Sequence, residues 1–121
     1  HNGRYVRVAP GGQSEAPAIF KQDGKYWMIT SGCTGWDPNE ARMFSADSLF
    51  GEWTQHPNPC RGENAKLTFG GQSTYILRTK DNQLVFMADI WRPKNPIDAR
   101  YIWLPIEFEE GKPIVRWQKE W

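Results

Sequence analysis

From position 15 to position 30 the chain reads Glu15-Ala16-Pro17-Ala18-Ile19-Phe20-Lys21-Gln22-Asp23-Gly24-Lys25-Tyr26-Trp27-Met28-Ile29-Thr30. Two β-rich runs, Ala18-Ile19-Phe20 and Tyr26 to Thr30, flank Asp23-Gly24, a pair that accepts the positive φ angles of a two-residue hairpin turn. The stretch therefore predicts two antiparallel strands joined tightly. Pro17 has no backbone donor and fits an edge strand. Nine prolines and eleven glycines interrupt every window in which a helical period would have to be sustained.

The same device returns downstream. Tyr75-Ile76-Leu77 and Leu84-Val85-Phe86-Met87 flank Lys80-Asp81-Asn82-Gln83, and laying Ile19 on Ile76 gives an offset of 57 residues. The second halves also correspond. Arg42-Met43-Phe44 and Trp53-Thr54 bracket Gly51, as Tyr101-Ile102-Trp103-Leu104 and Ile114-Val115-Arg116-Trp117 bracket Gly111. Each unit reads as four short antiparallel strands, and a long repeat of this kind marks the blades of a β-propeller. Residues 1–10, with Arg4-Tyr5-Val6-Arg7-Val8, read as the outer strand of a preceding blade, 15–60 as one blade and 72–121 as a final blade. Blades bury their faces only against neighbours. About two of them imply that preceding N-terminal blades or another copy completes the packing. Ser45-Ala46-Asp47 followed by Gly51-Glu52-Trp53 partly resembles the turn motif of sialidase-type propellers, a structural feature in which short polar side chains bond the turn backbone.

Composition narrows the function classes. Fifteen basic and fourteen acidic residues are interspersed, for a net charge of +1, which gives no field to steer the chain to nucleic acid or an anionic membrane. Apolar runs stay near five residues, against the roughly 20 a membrane helix needs. Seven Trp, four Tyr and six Phe in a polar chain suit both a sugar-handling surface and a β-sheet core. Cys33 and Cys60 match no metal or redox spacing. Two readings stand for them: two buried free thiols, or a disulfide contributing roughly 3 to 4 kcal/mol and implying an oxidising compartment.

In a propeller, the starts of the innermost strands converge on one mouth of the channel, where a site belongs. With the 57-residue offset Glu15 falls on Gln72, so both should face one funnel. Three groups of residues, Ser14-Glu15-Ala16-Pro17, Asp23-Gly24-Lys25-Tyr26-Trp27 and Thr30-Ser31-Gly32-Cys33-Thr34-Gly35-Trp36, together resemble the third-blade segment of glycoside hydrolase family 43. Gly71-Gln72-Ser73-Thr74, Asp89-Ile90-Trp91 and Tyr101 to Pro105 resemble the branch of exo-acting β-1,3-galactanases.

That resemblance implies an all-β fold, with this chain as about two blades of a five-bladed β-propeller. It also implies an inverting hydrolase that releases galactose from β-1,3-galactan or related arabinogalactan side chains, with no cofactor and no metal required for the bond-breaking step; family analogy allows a calcium ion in the channel, and no ligand cluster in the sequence demands one. Glu15 matches the general acid, in a motif that is often Glu-Gly-Pro in the family and is Glu-Ala-Pro here. The family's Asp base and acid-tuning Asp lie in blades this chain does not contain, so the segment alone is expected to be inactive. Gln72 matches a glutamine that stands for the base in some galactanases. An amide is a weak proton acceptor, so Gln72 would act either as an imidic acid tautomer or by holding sugar or water. Inversion sets the acid and base roughly 6.5 to 9.5 Å apart. Thr34, Gly35, Trp36 and Trp91 are the expected sugar contacts. A polysaccharide substrate implies a secreted or periplasmic protein. The rival reading is a non-catalytic carbohydrate-binding propeller, which would share the aromatic loop and need no acid.

Overall fold

The computed structural model describes residues 14–34, 37–90 and 100–119, and the expected strand within residues 1–10 lies outside them. Among the described residues nine strands form two sheets: β1 (Ser14–Gln22), β2 (Lys25–Gly32), β3 (Arg42–Ala46), β4 (Thr54–His56), β5 (Cys60–Arg61), β6 (Gln72–Arg78), β7 (Leu84–Ile90), β8 (Arg100–Glu109) and β9 (Lys112–Arg116). The first sheet has the order β1-β2-β3-β4, antiparallel throughout, as a four-stranded blade requires. Its first turn is the expected one, with Asp23 at φ 52° and Gly24 at φ 77°.

The second sheet runs β5-β9-β8-β7-β6 and differs from expectation at its outer edge. Strand β5 pairs in parallel with β9, Cys60 opposite Val115 and Arg61 opposite Arg116. Residues 60 and 61 therefore belong to the second sheet, and the first blade ends at β4 rather than at residue 60. Asn58 makes this crossing possible. Its Oδ1 accepts from the Cys60 N–H at 2.9 Å, and its Nδ2 donates to the Ala65 carbonyl at 2.9 Å, at the start of a 3₁₀ segment, Ala65–Gly70.

Period-two alternation builds the core. On the first sheet Ala18, Phe20, Trp27, Ile29 and Met43 are buried, while Ile19 between two of them stays half exposed. The row Ile76, Phe86, Leu104 crosses the second sheet in register, and these faces meet in one apolar cluster centred on Ile29 and Phe86, both fully buried. The opposite face of the second sheet carries the row Tyr75, Met87, Trp103, with Tyr75 and Trp103 more than half exposed.

Side chains tie the two innermost strands together. Ser73 Oγ donates to the Ala16 carbonyl at 2.7 Å, 57 residues away, and Arg78 Nη1 donates to Gln22 Oε1 at 3.1 Å. The sequence offset is thus a spatial one, strand start against strand start. The turn after β3 departs from the sialidase-type pattern: Ser48, not Ser45, holds it, accepting the Phe50 N–H on Oγ and the Gly51 N–H on its carbonyl. Ser45 Oγ instead meets His56 Nε2 at 2.6 Å, beside a tilted Trp27–His56 ring pair.

Candidate active site

Glu15 is the second residue of β1 and pairs with Ser31 of β2. A β-bulge lies between Glu15 and Ala18, and within it Ala16 takes φ 52°, a left-handed conformation that L residues adopt at a cost. Strand β6 repeats the irregularity between Ser73 and Tyr75, just after Gln72. Bulges re-aim the side chains beside them, and each innermost strand carries one next to its candidate residue. Gly71 lets β6 begin where it does. A Cβ there would stand 3.1 Å from Ile102 Cδ1 and 3.2 Å from both Ala88 Cβ and the Asp89 carbonyl oxygen.

The structure brings Glu15 and Gln72 together, closer than an inverting acid–base pair stands. Gln72 Nε2 donates to Glu15 Oε1 at 2.9 Å and to Ser31 Oγ at 2.8 Å. Ser31 Oγ is set to donate to the Glu15 backbone carbonyl at 3.4 Å, which closes a ring of three hydrogen bonds through Glu15, Gln72 and Ser31, with Glu15 half-buried. The Gln72 amide oxygen shares a carbon with Nε2, so it lies within about 5 Å of that carboxylate oxygen. This leaves no room for an anomeric carbon and a water between the two groups. The expected separation of roughly 6.5 to 9.5 Å is corrected to direct contact: as arranged here, Gln72 is the hydrogen-bond partner that fixes Glu15.

Thr34 occupies a different role from the sugar donor expected of it. Its Oγ1 donates to the Asp37 carbonyl at 2.6 Å and accepts from Asn39 Nδ2 at 2.7 Å, so its single proton braces the loop. Gly35, Trp36 and Trp91 lie outside the described residues. The disulfide reading is corrected too. Cys33 is exposed in the loop after β2 and Cys60 is buried on β5, both as free thiols, and burial pushes the Cys60 thiol up to about 12. Of the two thiols expected to be buried in the alternative reading, only Cys60 is.

Three functional residues escape sequence reasoning. Ser31 bonds the Gln72 amide and the Glu15 carbonyl, and Ser73 bonds the Ala16 carbonyl beside Glu15. Asn39 acts as a substitute strand residue, its Oδ1 accepting the Gly32 N–H at 2.8 Å and its Nδ2 donating to the Gly32 carbonyl at 2.9 Å. Beside this bracket opens a cleft of about 550 Å³ lined by Gly32, Cys33, Thr34, Asn39, Arg42 and His56 among others. Neither Glu15 nor Gln72 is among its lining residues, so this cleft and the Glu15 carboxyl group do not form one site. His56 is held below the usual imidazole range, first by burial and then by Lys112 and Lys25.

No family model matches the chain, and no curated protein matches it. Solved structures do. A GH43 β-1,3-galactosidase crystallised with galactodeoxynojirimycin is 62% identical over 100% of this chain, with a TM-score of 0.96, and the chain covers 36% of that protein. A second GH43 β-1,3-galactosidase is 34% identical over 89% of the chain, TM-score 0.84, with 23% of that protein covered. An exo-β-1,3-galactanase from Phanerochaete chrysosporium, solved with β-1,3-galactotriose, is 35% identical over 87% of the chain, TM-score 0.77, with 24% covered. The chain thus spans about a third or less of the length of the relatives it matches. The two sheets are blades of a β-propeller, and on identity sustained along its whole length the chain belongs to glycoside hydrolase family 43.

Proposed function

We propose that the protein carrying this chain is an inverting exo-glycosidase that releases galactose from β-1,3-linked galactan, with Glu15 as its general acid. One observation carries the reading: at the start of an innermost strand, a half-buried carboxyl group is fixed by one oxygen, Oε1, through the Gln72 amide. The other oxygen is left to face a glycosidic bond. A general acid must be held within hydrogen-bond reach of the atom it protonates, and a carboxyl anchored on one side meets that need. Gln72 acts as the acid's partner. To serve as a base in its imidic form it would have to swing away from Glu15, toward the separation inversion requires.

Trp36, Gly35 and Trp91 complete the proposal as sugar contacts by family resemblance. The row of Tyr75, Met87 and Trp103 on the outer face of the second sheet supports a further blade or copy packing there. A polymeric substrate supports a secreted or periplasmic location, which now rests on that argument alone because the cysteines are free. The test is to treat β-1,3-galactotriose with the protein and follow the fresh product by proton NMR. α-Galactose appearing first is the expected result; β-galactose first would overturn inversion. Binding without release would point to a sugar-binding propeller.

A further inference from the structure

The Gln72 amide nitrogen carries two hydrogens, and two acceptors stand within reach of it: Glu15 Oε1 at 2.9 Å and Ser31 Oγ at 2.8 Å. Both hydrogens are therefore committed. The Ser31 hydroxyl is set toward the Glu15 carbonyl at 3.4 Å, which turns its lone pairs to the amide. Ser31 is 5% exposed, so water does not readily replace it. An amide can also sit flipped by half a turn, with its oxygen where the nitrogen was. Flipped, Gln72 would present an acceptor to Glu15, and a protonated carboxyl would then place its hydrogen on Oε1, bonded to Gln72 and withheld from substrate. In the observed orientation Oε1 receives an N–H and the acid proton must reside on Oε2.

We infer that Ser31 is a positioning residue that, through Gln72, keeps the transferable proton of Glu15 on Oε2. The inference rests on Glu15 being the acid. Ser31 itself needs no contact with substrate: it fixes which way the amide faces, and the amide fixes which oxygen carries the proton. Ala in place of Ser31 removes the acceptor and leaves one amide hydrogen without a partner, so the flipped orientation becomes competitive.

Ser31→Ala and Ser31→Thr in the protein that carries this chain, assayed on β-1,3-galactotriose, test this. Ser31→Ala should lower kcat by roughly 10- to 100-fold with little change in KM, because the loss is one of orientation at the reacting group. Ser31→Thr, which keeps the hydroxyl, should recover most of the rate. The side-chain amide signals of Gln72 give a second measurement, insensitive to turnover: in Ser31→Ala one of the two hydrogens should lose its protection from exchange. An unchanged kcat in Ser31→Ala would overturn the inference, as would two equally protected amide hydrogens in that variant. Glu15→Gln run alongside separates the cases. Wild-type turnover in that variant would sink the acid assignment itself, whereas its loss together with an unaffected Ser31→Ala would sink only the role of Ser31.

Discussion

Glu15 Oε1 and Gln72 Nε2, 57 residues apart in sequence, stand 2.9 Å apart at the starts of two neighbouring innermost strands. The contact joins the two repeats at equivalent positions, and the neighbouring pair does the same: Ser73 Oγ donates to the Ala16 carbonyl at 2.7 Å, again across 57 residues. Two hydrogen bonds from the second blade thus hold consecutive residues of the first, one at the carboxyl group and one at the backbone of the bulge that aims it.

Ala16 sits at φ 52° in that bulge. A left-handed conformation costs a residue with a Cβ roughly 1 to 2 kcal/mol, part of which is offset because glycine loses more freedom on folding. Ala16→Gly should therefore stabilise the fold by about 0.5 to 1 kcal/mol, read as a shift in the denaturation midpoint. The frequent glycine at this place in the family then has a conformational reason.

The two thiols should separate cleanly in a labelling experiment. Exposed Cys33 reacts with a disulfide reagent in the native state, and buried Cys60 reacts only on unfolding. Burial raises the Cys60 thiol to about 12 in the folded chain. The folded state therefore holds its proton more tightly than the unfolded one. The resulting stabilisation is complete below the ordinary thiol range, near 9, and is lost as pH rises from there toward 12. Equilibrium unfolding followed from pH 8 upward should show this decline, reduced in Cys60→Ala.

At the acid end His56 works in the opposite sense. Its folded pKa is lowered by burial, Lys112 and Lys25, so the unfolded chain takes up the proton first. Stability from this group is present above the ordinary imidazole value of 6.5 and falls as pH drops through the folded value. The thermal midpoint should decrease on acidification below neutrality, less steeply in His56→Gln, which keeps a hydrogen-bonding group near Ser45.

Much of the fold was legible because it is local. The Asp23-Gly24 turn sets the register of the first hairpin, Gln22 opposite Lys25 and Ile19 opposite Met28; the second hairpin is legible in place but not in register, because residues 79–83 join its strands and Ile76 stands opposite Phe86, one residue beyond the equivalent of Met28. Local rules fail where the chain departs from them by one residue. Continuing the hairpin register unbroken would set Glu15 opposite Gly32; the bulge at Ala16 and Pro17 shifts it to Ser31, which is why Ser31 escaped notice. Strand β5 is two residues long and pairs across more than 50 residues with β9, a contact with no periodic signature. The Glu15–Gln72 distance depends on two side-chain rotamers, which sequence offset places at one mouth without fixing how closely they meet.

The most direct test of the account is Glu15→Gln in the protein that carries this chain, with galactose release and binding measured separately on β-1,3-galactotriose. The substitution keeps the side chain's size and an oxygen that can accept from Gln72. Release should fall by roughly 10²- to 10⁴-fold, the contribution of a positioned general acid, while binding is retained. Turnover at the wild-type rate would contradict the assignment of Glu15 as the acid and, with it, the mechanistic meaning of its contact with Gln72.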